Sequence, residues 1–199
     1  HAKKAAGAGV DGLIAVAAGA GGHAGTWSPF ALVNEIRQFF DKTILLSGCM
    51  SSGSDIAAAQ MMGADLAYMG TRFINTQECM VQDEYKQQIT QSSANDIVYT
   101  PQVSGVNANF IRQSIEAAGM DLENMDKPKG IDFGAELDEA NSDEKTAHAK
   151  PWKDIWSAGH GVGSIDDTPT ALELVNRLKE QYQAAHQNQQ NKIKLLSDA

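Results

Sequence analysis

A chain of 199 residues with 42% hydrophobic composition has enough apolar side chain to bury a core, and its length fits one domain or a little more. Sixteen basic against twenty-five acidic residues give a net charge of −9, of which residues 121–145 supply −6 through nine acids and three bases; a nucleic-acid surface, which needs clustered Lys and Arg, is excluded. No apolar run approaches the ~20 residues that span a bilayer, no signal-peptide order opens the chain, and Cys49 and Cys79 have neither disulfide-framework nor metal-ligand spacing, so reduced thiols, a cytoplasmic location, no membrane and no metal are expected.

Residues 2–8, rich in Ala and Lys, predict a helix that Gly9 ends, and Asp11-Gly12-Leu13-Ile14-Ala15-Val16 runs into a short apolar strand followed by a loop over 17–25. Residues 29–40 set Phe30, Leu32, Val33, Ile36, Phe39 and Phe40 at helical spacing, with Ser28 as N-cap and Pro29 at the first helical position. Asp41-Lys42 turns into a strand, Thr43-Ile44-Leu45-Leu46, and a loop over 48–53 follows. Ser54 can cap a helix over 55–62 that Gly63 stops, and Leu66-Ala67-Tyr68-Met69 is a third strand ending at Gly70-Thr71. Gly9-Val10-Asp11 and Gly63-Ala64-Asp65, fifty-four residues apart, echo each other between an Ala-rich helix and an apolar strand, as two units of a repeating βα fold would. Apolar strands alternating with helices imply a parallel sheet buried on both faces, in a barrel or a doubly wound sheet; periodicity does not choose between them.

After Thr76 the pattern changes. A polar helix is expected around 80–90, a second helix over 110–118, an exposed acidic loop over about 120–150, and an amphipathic helix over 169–185 with Leu172, Val175, Leu178 and Tyr182 on the stripe that packs on the exterior. The polar end at 187–190 is expected to fray. The organisation expected is βα units of a barrel over residues 1–76 and a helical C-terminal extension over 77–199.

The loop Gly19-Ala20-Gly21-Gly22-His23-Ala24-Gly25 sets four glycines around one histidine at the carboxyl end of a strand, the edge where parallel α/β folds bind ligands. Glycines there let backbone N–H groups approach an anion. Taken alone the loop reads more readily as a tight turn with a hydrogen-bonded surface histidine. Ser47-Gly48-Cys49-Met50-Ser51-Ser52-Gly53 and Met69-Gly70-Thr71-Arg72-Phe73 stand at the corresponding ends of the next two strands. Successive βα loops of this kind hold a phosphate in many barrels, with Gly48, Cys49, Gly70 and Thr71 offering backbone N–H groups and a hydroxyl.

These three runs, with Gly63-Ala64-Asp65 and the later segment Trp152-Lys153-Asp154-Ile155-Trp156-Ser157-Ala158-Gly159-His160-Gly161-Val162-Gly163, resemble the nitronate monooxygenase family, formerly called 2-nitropropane dioxygenases. The resemblance implies the C-terminal portion of a (β/α) TIM-type barrel with additional C-terminal helices, FMN as cofactor, and oxidation of alkyl nitronates or nitroalkanes with O₂. It implies His23 as the catalytic base, Ser157 near the substrate, Ala20, Gly21 and Gly22 along the flavin, and Gly48, Cys49, Gly70 and Thr71 at the FMN phosphate.

Two departures stand out: Cys49 replaces a usual second glycine, tolerable if its φ is negative, and His160 replaces a common glutamine, as an active-site group or only a cap or surface residue. The family's first βα units have no counterpart here, and an open half-barrel exposes strand edges and apolar surface. The fragment alone is therefore expected to be inactive and to require the missing half of the barrel, with a homodimer also open. The alternative activity is an FMN-dependent enoyl-thioester (enoyl-ACP) reductase using NAD(P)H; that branch carries a Glu upstream of the loop, where this chain has Ala17-Ala18-Gly19. A module that binds phosphate without turnover is the non-enzymatic reading.

Overall fold

A computed structural model describes residues 1–121 and 153–197. Helix α1 (Ala2–Gly7) leads to strand β1 (Gly12–Val16), helix α2 (Pro29–Arg37) to β3 (Thr43–Ser47), and helix α3 (Gly53–Met61) to β4 (Leu66–Tyr68). These three strands pair in parallel in the order β1-β3-β4, so each βα unit lies beside the next, as in the wall of a barrel. The Gly9/Gly63 echo has a backbone basis, since both residues end a helix at positive φ, 82° and 105°.

One face of the parallel sheet is packed. Ile44 and Leu46 of β3 are fully buried with Ala15, Val33, Ile36, Phe40, Ala59 and Ala64, which places α2 and α3 against that face. Among the described residues the other face is open, contrary to the expectation of burial on both. The cross-strand rows Ile14–Leu45–Leu66 and Val16–Ser47–Tyr68 lie on it, and Ile14, Leu66 and Tyr68 are each more than half exposed. Apolar side chains in register on an uncovered sheet are the inward-facing layers of a barrel wall.

The Gly63-Ala64-Asp65 turn ties this wall together. Asp65 Oδ2 accepts from the Ile44 N–H at 2.8 Å and from Arg37 Nη2 at 2.6 Å, while Arg37 also donates to the carbonyls of Gly63 and Lys42. The bond from Ile44 first, then that from Arg37, holds the Asp65 carboxyl below the usual carboxylate range. A lowered folded-state pKa stabilises the fold above the unfolded value of about 4 and loses that contribution as pH falls through the folded pKa. Asp65→Asn should accordingly lower the thermal midpoint at pH 7, with the gap to the parent closing below about pH 4; a gap independent of pH would mean that the charge is immaterial.

Three differences from the sequence expectations follow from packing. Helix α3 is capped by Ser52, not Ser54: the Ser52 hydroxyl accepts from the Asp55 N–H, and Asp55 accepts from the Ser52 and Ser51 N–H groups. After the short helix α4 (Thr71–Ile74) and helix α5 (Asp83–Gln91), the chain makes two strands, β5 (Ile97–Thr100) and β6 (Ala108–Ile111), before helix α6 (Arg112–Ala117). They form an antiparallel sheet with β2 (Gly22–His23) in the order β2-β6-β5, so the residues after 76 are not wholly helical and the helix expected from residue 110 starts at 112. All four β6 residues are buried, and their burial depends on Ile155 and Ala158, more than forty positions away.

The last helix, α7 (Ala171–Ser197), runs well beyond residue 185 and packs on α3. Its buried stripe is Leu174 and Leu178, whereas Leu172 is 70% exposed. A Cβ on Gly53 would come within 2.0 Å of the Leu178 carbonyl, so the first residue of α3 must be glycine for the two helices to approach. Residues 122–150, which hold nearly all of the expected acidic loop, lie outside the described residues. Among the described residues no helix is long and apolar enough to cross a membrane.

Candidate active site

A cavity of about 100 Å³ opens at the carboxyl ends of β1, β3 and β4. Its walls come from Gly19, Ala20 and Gly21 after β1; Ser47, Gly48, Cys49 and Met50 after β3; Tyr68, Met69, Gly70, Thr71 and Ile74 around β4 and α4; and Ser157, Gly159 and Gly161 from the later segment. Three loops separate in sequence thus converge on one point, as the spacing of the strands implied. Among the described residues none of the lining side chains is an ion of either sign at neutral pH, so they meet an anion with backbone N–H groups and hydroxyls.

The cavity floor is a close backbone crossing. The Gly159 N–H donates to Thr71 Oγ1 at 3.0 Å, and the His160 N–H donates to the Gly19 carbonyl at 2.9 Å. A Cβ on Gly159 would lie 2.5 Å from the Gly19 carbonyl oxygen and 2.9 Å from the Gly21 nitrogen, and one on Gly21 would lie 2.9 Å from the Gly159 nitrogen. Both glycines are there because two main chains touch. Thr71 accepts through its oxygen and can still donate its hydroxyl proton.

Arg72, the one cation in the Met-Gly-Thr-Arg-Phe run, faces away from the cavity. It is 3% exposed and pairs with Asp167 at 2.6 Å, and Arg177 holds the other carboxylate oxygen at 2.7 Å. Its work is to fasten α4 to the chain ahead of α7. Only the fold shows its partner, which lies 95 positions further along the chain.

Cys49 departs from expectation. Its φ is +58°, the left-handed region, so the condition of a negative φ is not met. That conformation costs an L-residue roughly 1–2 kcal/mol, against the roughly 0.5–1 kcal/mol that a glycine loses in chain entropy. The thiol donates to the Ala18 carbonyl at 3.4 Å, and partial burial, then the charge of Asp55, push its pKa up, so the sulfur is an uncharged thiol rather than a nucleophile. Cys49→Gly should raise stability by about 0.5–1 kcal/mol with the cavity intact. Thermal unfolding measures it, and an unchanged midpoint would argue that the loop relaxes its strain elsewhere.

Of the residues singled out from sequence, Ala20, Gly21, Gly48, Cys49, Gly70, Thr71 and Ser157 line this cavity. Gly22 and His23 lie just beyond it, where the loop leaves the wall as β2 and pairs with Asn109 and Ala108 of β6; His23 is exposed. The Ser157 carbonyl accepts a hydrogen bond from the Tyr85 hydroxyl, and Ser157 bridges Phe110. His160 opens a short 3₁₀ turn with its side chain exposed, close to Gly19. Gly19, Ser47, Met50, Tyr68, Met69, Ile74, Gly159 and Gly161 also line it without having been singled out as site residues; the small-residue loops and the Gly-rich late segment were the available signal.

A family model described as Nitronate monooxygenase matches residues 1–181. The chain belongs to the nitronate monooxygenase family. A nitronate monooxygenase from Paraburkholderia phytofirmans is 28% identical over 187 residues, covering 87% of this chain and 50% of the relative. A probable nitronate monooxygenase from Staphylococcus haemolyticus is 26% identical over 188 residues, 87% of this chain and 51% of its own. Among solved structures, FabK from Thermotoga maritima superposes with a TM-score of 0.75 at 25% identity over 96% of this chain and 60% of that one. A nitroalkane oxidase from Streptomyces ansochromogenes gives 0.68 at 24% identity, over 94% and 56%. The fold is therefore a portion of a (β/α) TIM-type barrel, and the chain spans about half the length of the relatives it matches.

Proposed function

We propose that the assembled protein is an FMN-dependent nitronate monooxygenase, acting on alkyl nitronates or nitroalkanes with O₂. The observation that carries this reading is the uncharged cavity at the carboxyl ends of three consecutive parallel strands, walled by glycine backbone, in a chain of this family. The cavity fits the FMN phosphate: Gly48, Cys49, Gly70 and Thr71 stand at its rim, and the Gly21–Gly159 crossing leaves no side chain in the way. Bound FMN would supply the redox chemistry, taking electrons from the substrate and passing them to O₂.

The protein's own part is binding and proton transfer. His23 takes the α-carbon proton of a nitroalkane at its imidazole, and a substrate already present as its nitronate skips that step. Ser157, which lines the cavity, orients the substrate. The apolar rows of β1, β3 and β4 are the surface over which the remaining strands of the barrel close, and activity requires them. Free thiols at Cys49 and Cys79 suit a reducing, cytoplasmic setting.

The likeness to FabK favours one second reading, an enoyl-thioester reductase using NAD(P)H. The absence of a Glu upstream of the loop, where Ala17-Ala18-Gly19 stand, weighs against it. Anaerobic mixing of the FMN-loaded protein decides between the two. Bleaching of the flavin bands by a nitronate without pyridine nucleotide is the expected result; rapid bleaching by NADH or NADPH with no response to nitronate would assign the reductase.

A further inference from the structure

The loop that carries His23 is gripped at both ends by one cross-strand pair. Tyr99 of β5 and Asn109 of β6 face each other in register, and Asn109 in turn faces Gly22 of β2, so Tyr99, Asn109 and Gly22 form one row across the antiparallel sheet. Residues in a row point to the same face, and Gly22 contributes no side chain to it. Asn109 Nδ2 donates to the carbonyl of Ala20 at 2.7 Å, and the Tyr99 hydroxyl donates to the carbonyl of Ala24 at 3.0 Å. The two bonds bracket Gly21, Gly22 and His23. Because a carbonyl can only accept, the Ala20 contact also fixes which end of the Asn109 amide faces it. Asn109 is 1% exposed, and its Oδ1 has no hydrogen-bond partner among the described residues, so this buried amide is kept at a cost.

Strand β6 also fixes the other side of the site, since Phe110, next to Asn109, bridges Ser157. One short strand therefore spaces His23 from Ser157.

We propose that Tyr99 and Asn109 are positioning residues that hold His23 in place through the carbonyls of Ala24 and Ala20. The inference rests on the reading of His23 as the base. A loop of four glycines is backbone-permissive and does not hold an imidazole by itself, whereas a displacement of about 1 Å in a reacting group can cost about 10²-fold in rate.

The test compares Tyr99→Phe and Asn109→Ala in the complete FMN-loaded enzyme. Tyr99 is 39% exposed, so its variant should fold even if the buried Asn109→Ala does not. Amide exchange over residues 19–25 should quicken by about fivefold or more in each, the loss expected for one hydrogen bond, with residues 43–47 unchanged. Nitroalkane turnover should fall by about fivefold or more, with a smaller loss on the preformed nitronate, and in a His23→Asn background neither substitution should add to the loss. A merely structural role would slow both substrates equally and add to His23→Asn. Unchanged exchange over 19–25 in Tyr99→Phe, equal losses on the two substrates, or additivity with His23→Asn would overturn the proposal. If His23→Asn itself leaves nitroalkane turnover intact, the base assignment fails, while the grip on the loop still stands or falls on the exchange rates.

Discussion

Replacing His23 with asparagine is expected to cut nitroalkane oxidation by about 10²–10⁴-fold, the usual contribution of a positioned general base, while the FMN content of the purified enzyme stays at the parental level. The separation of the two effects follows from the geometry. His23 stands on β2, past the end of the cavity wall, and the residues that line the cavity are its neighbours Ala20 and Gly21. Steady-state rates on a nitroalkane and on its nitronate are the measurement. The loss should be the smaller on the nitronate, whose proton is already gone, and equal losses on both would mean that His23 binds or orients substrate rather than removing a proton.

Gly159→Ala is expected to weaken FMN binding by at least about fivefold, because a methyl group there meets main chain rather than a yielding side chain. The new Cβ would be 2.5 Å from the Gly19 carbonyl and 2.9 Å from the Gly21 nitrogen, so the two walls must part, and overpacking of this kind costs about 1–3 kcal/mol. Gly163→Ala is the control, four positions on, where the nearest atom to the added carbon is 3.8 Å away and no loss is expected. Flavin fluorescence titration of both variants checks this; equal affinities would show that the crossing is not part of the FMN site.

His23 stood out in the sequence and Gly159 only as part of the late run, and their reasons come from different levels. The succession of helix, glycine and apolar strand over residues 1–76 could be read because it is local: Pro29 at a helix start, Gly9 and Gly63 at helix ends, and β3 with Ile44 and Leu46 turned to one side. The cavity was legible for the same reason, since strands that alternate with helices must end at one edge and their loops must meet there. What the late part of the chain does was not local. Strand β6 is Ala-Asn-Phe-Ile, four residues with no alternation, and besides Tyr99 of the neighbouring β5 it is paired or bridged by Gly22 and Ser157 from two distant places. Ser52 takes the cap from Ser54 through the reach of Asp55, and Leu174 takes the place of Leu172 among the buried residues of α7.

By itself the sequence determined the βα order, the edge at which a ligand binds, and a membership that rests on short runs of small residues. Those depend on neighbours within a few positions, where backbone sterics and periodicity decide. Only the tertiary structure decided that Arg72 pairs with Asp167 instead of facing an anion, that Cys49 is held at positive φ, and that His23 stands outside the cavity between bonds from Tyr99 and Asn109. Each of these is set by a partner from a separate part of the chain, and a partner that only folding brings near leaves no mark on the spacing of residues around it.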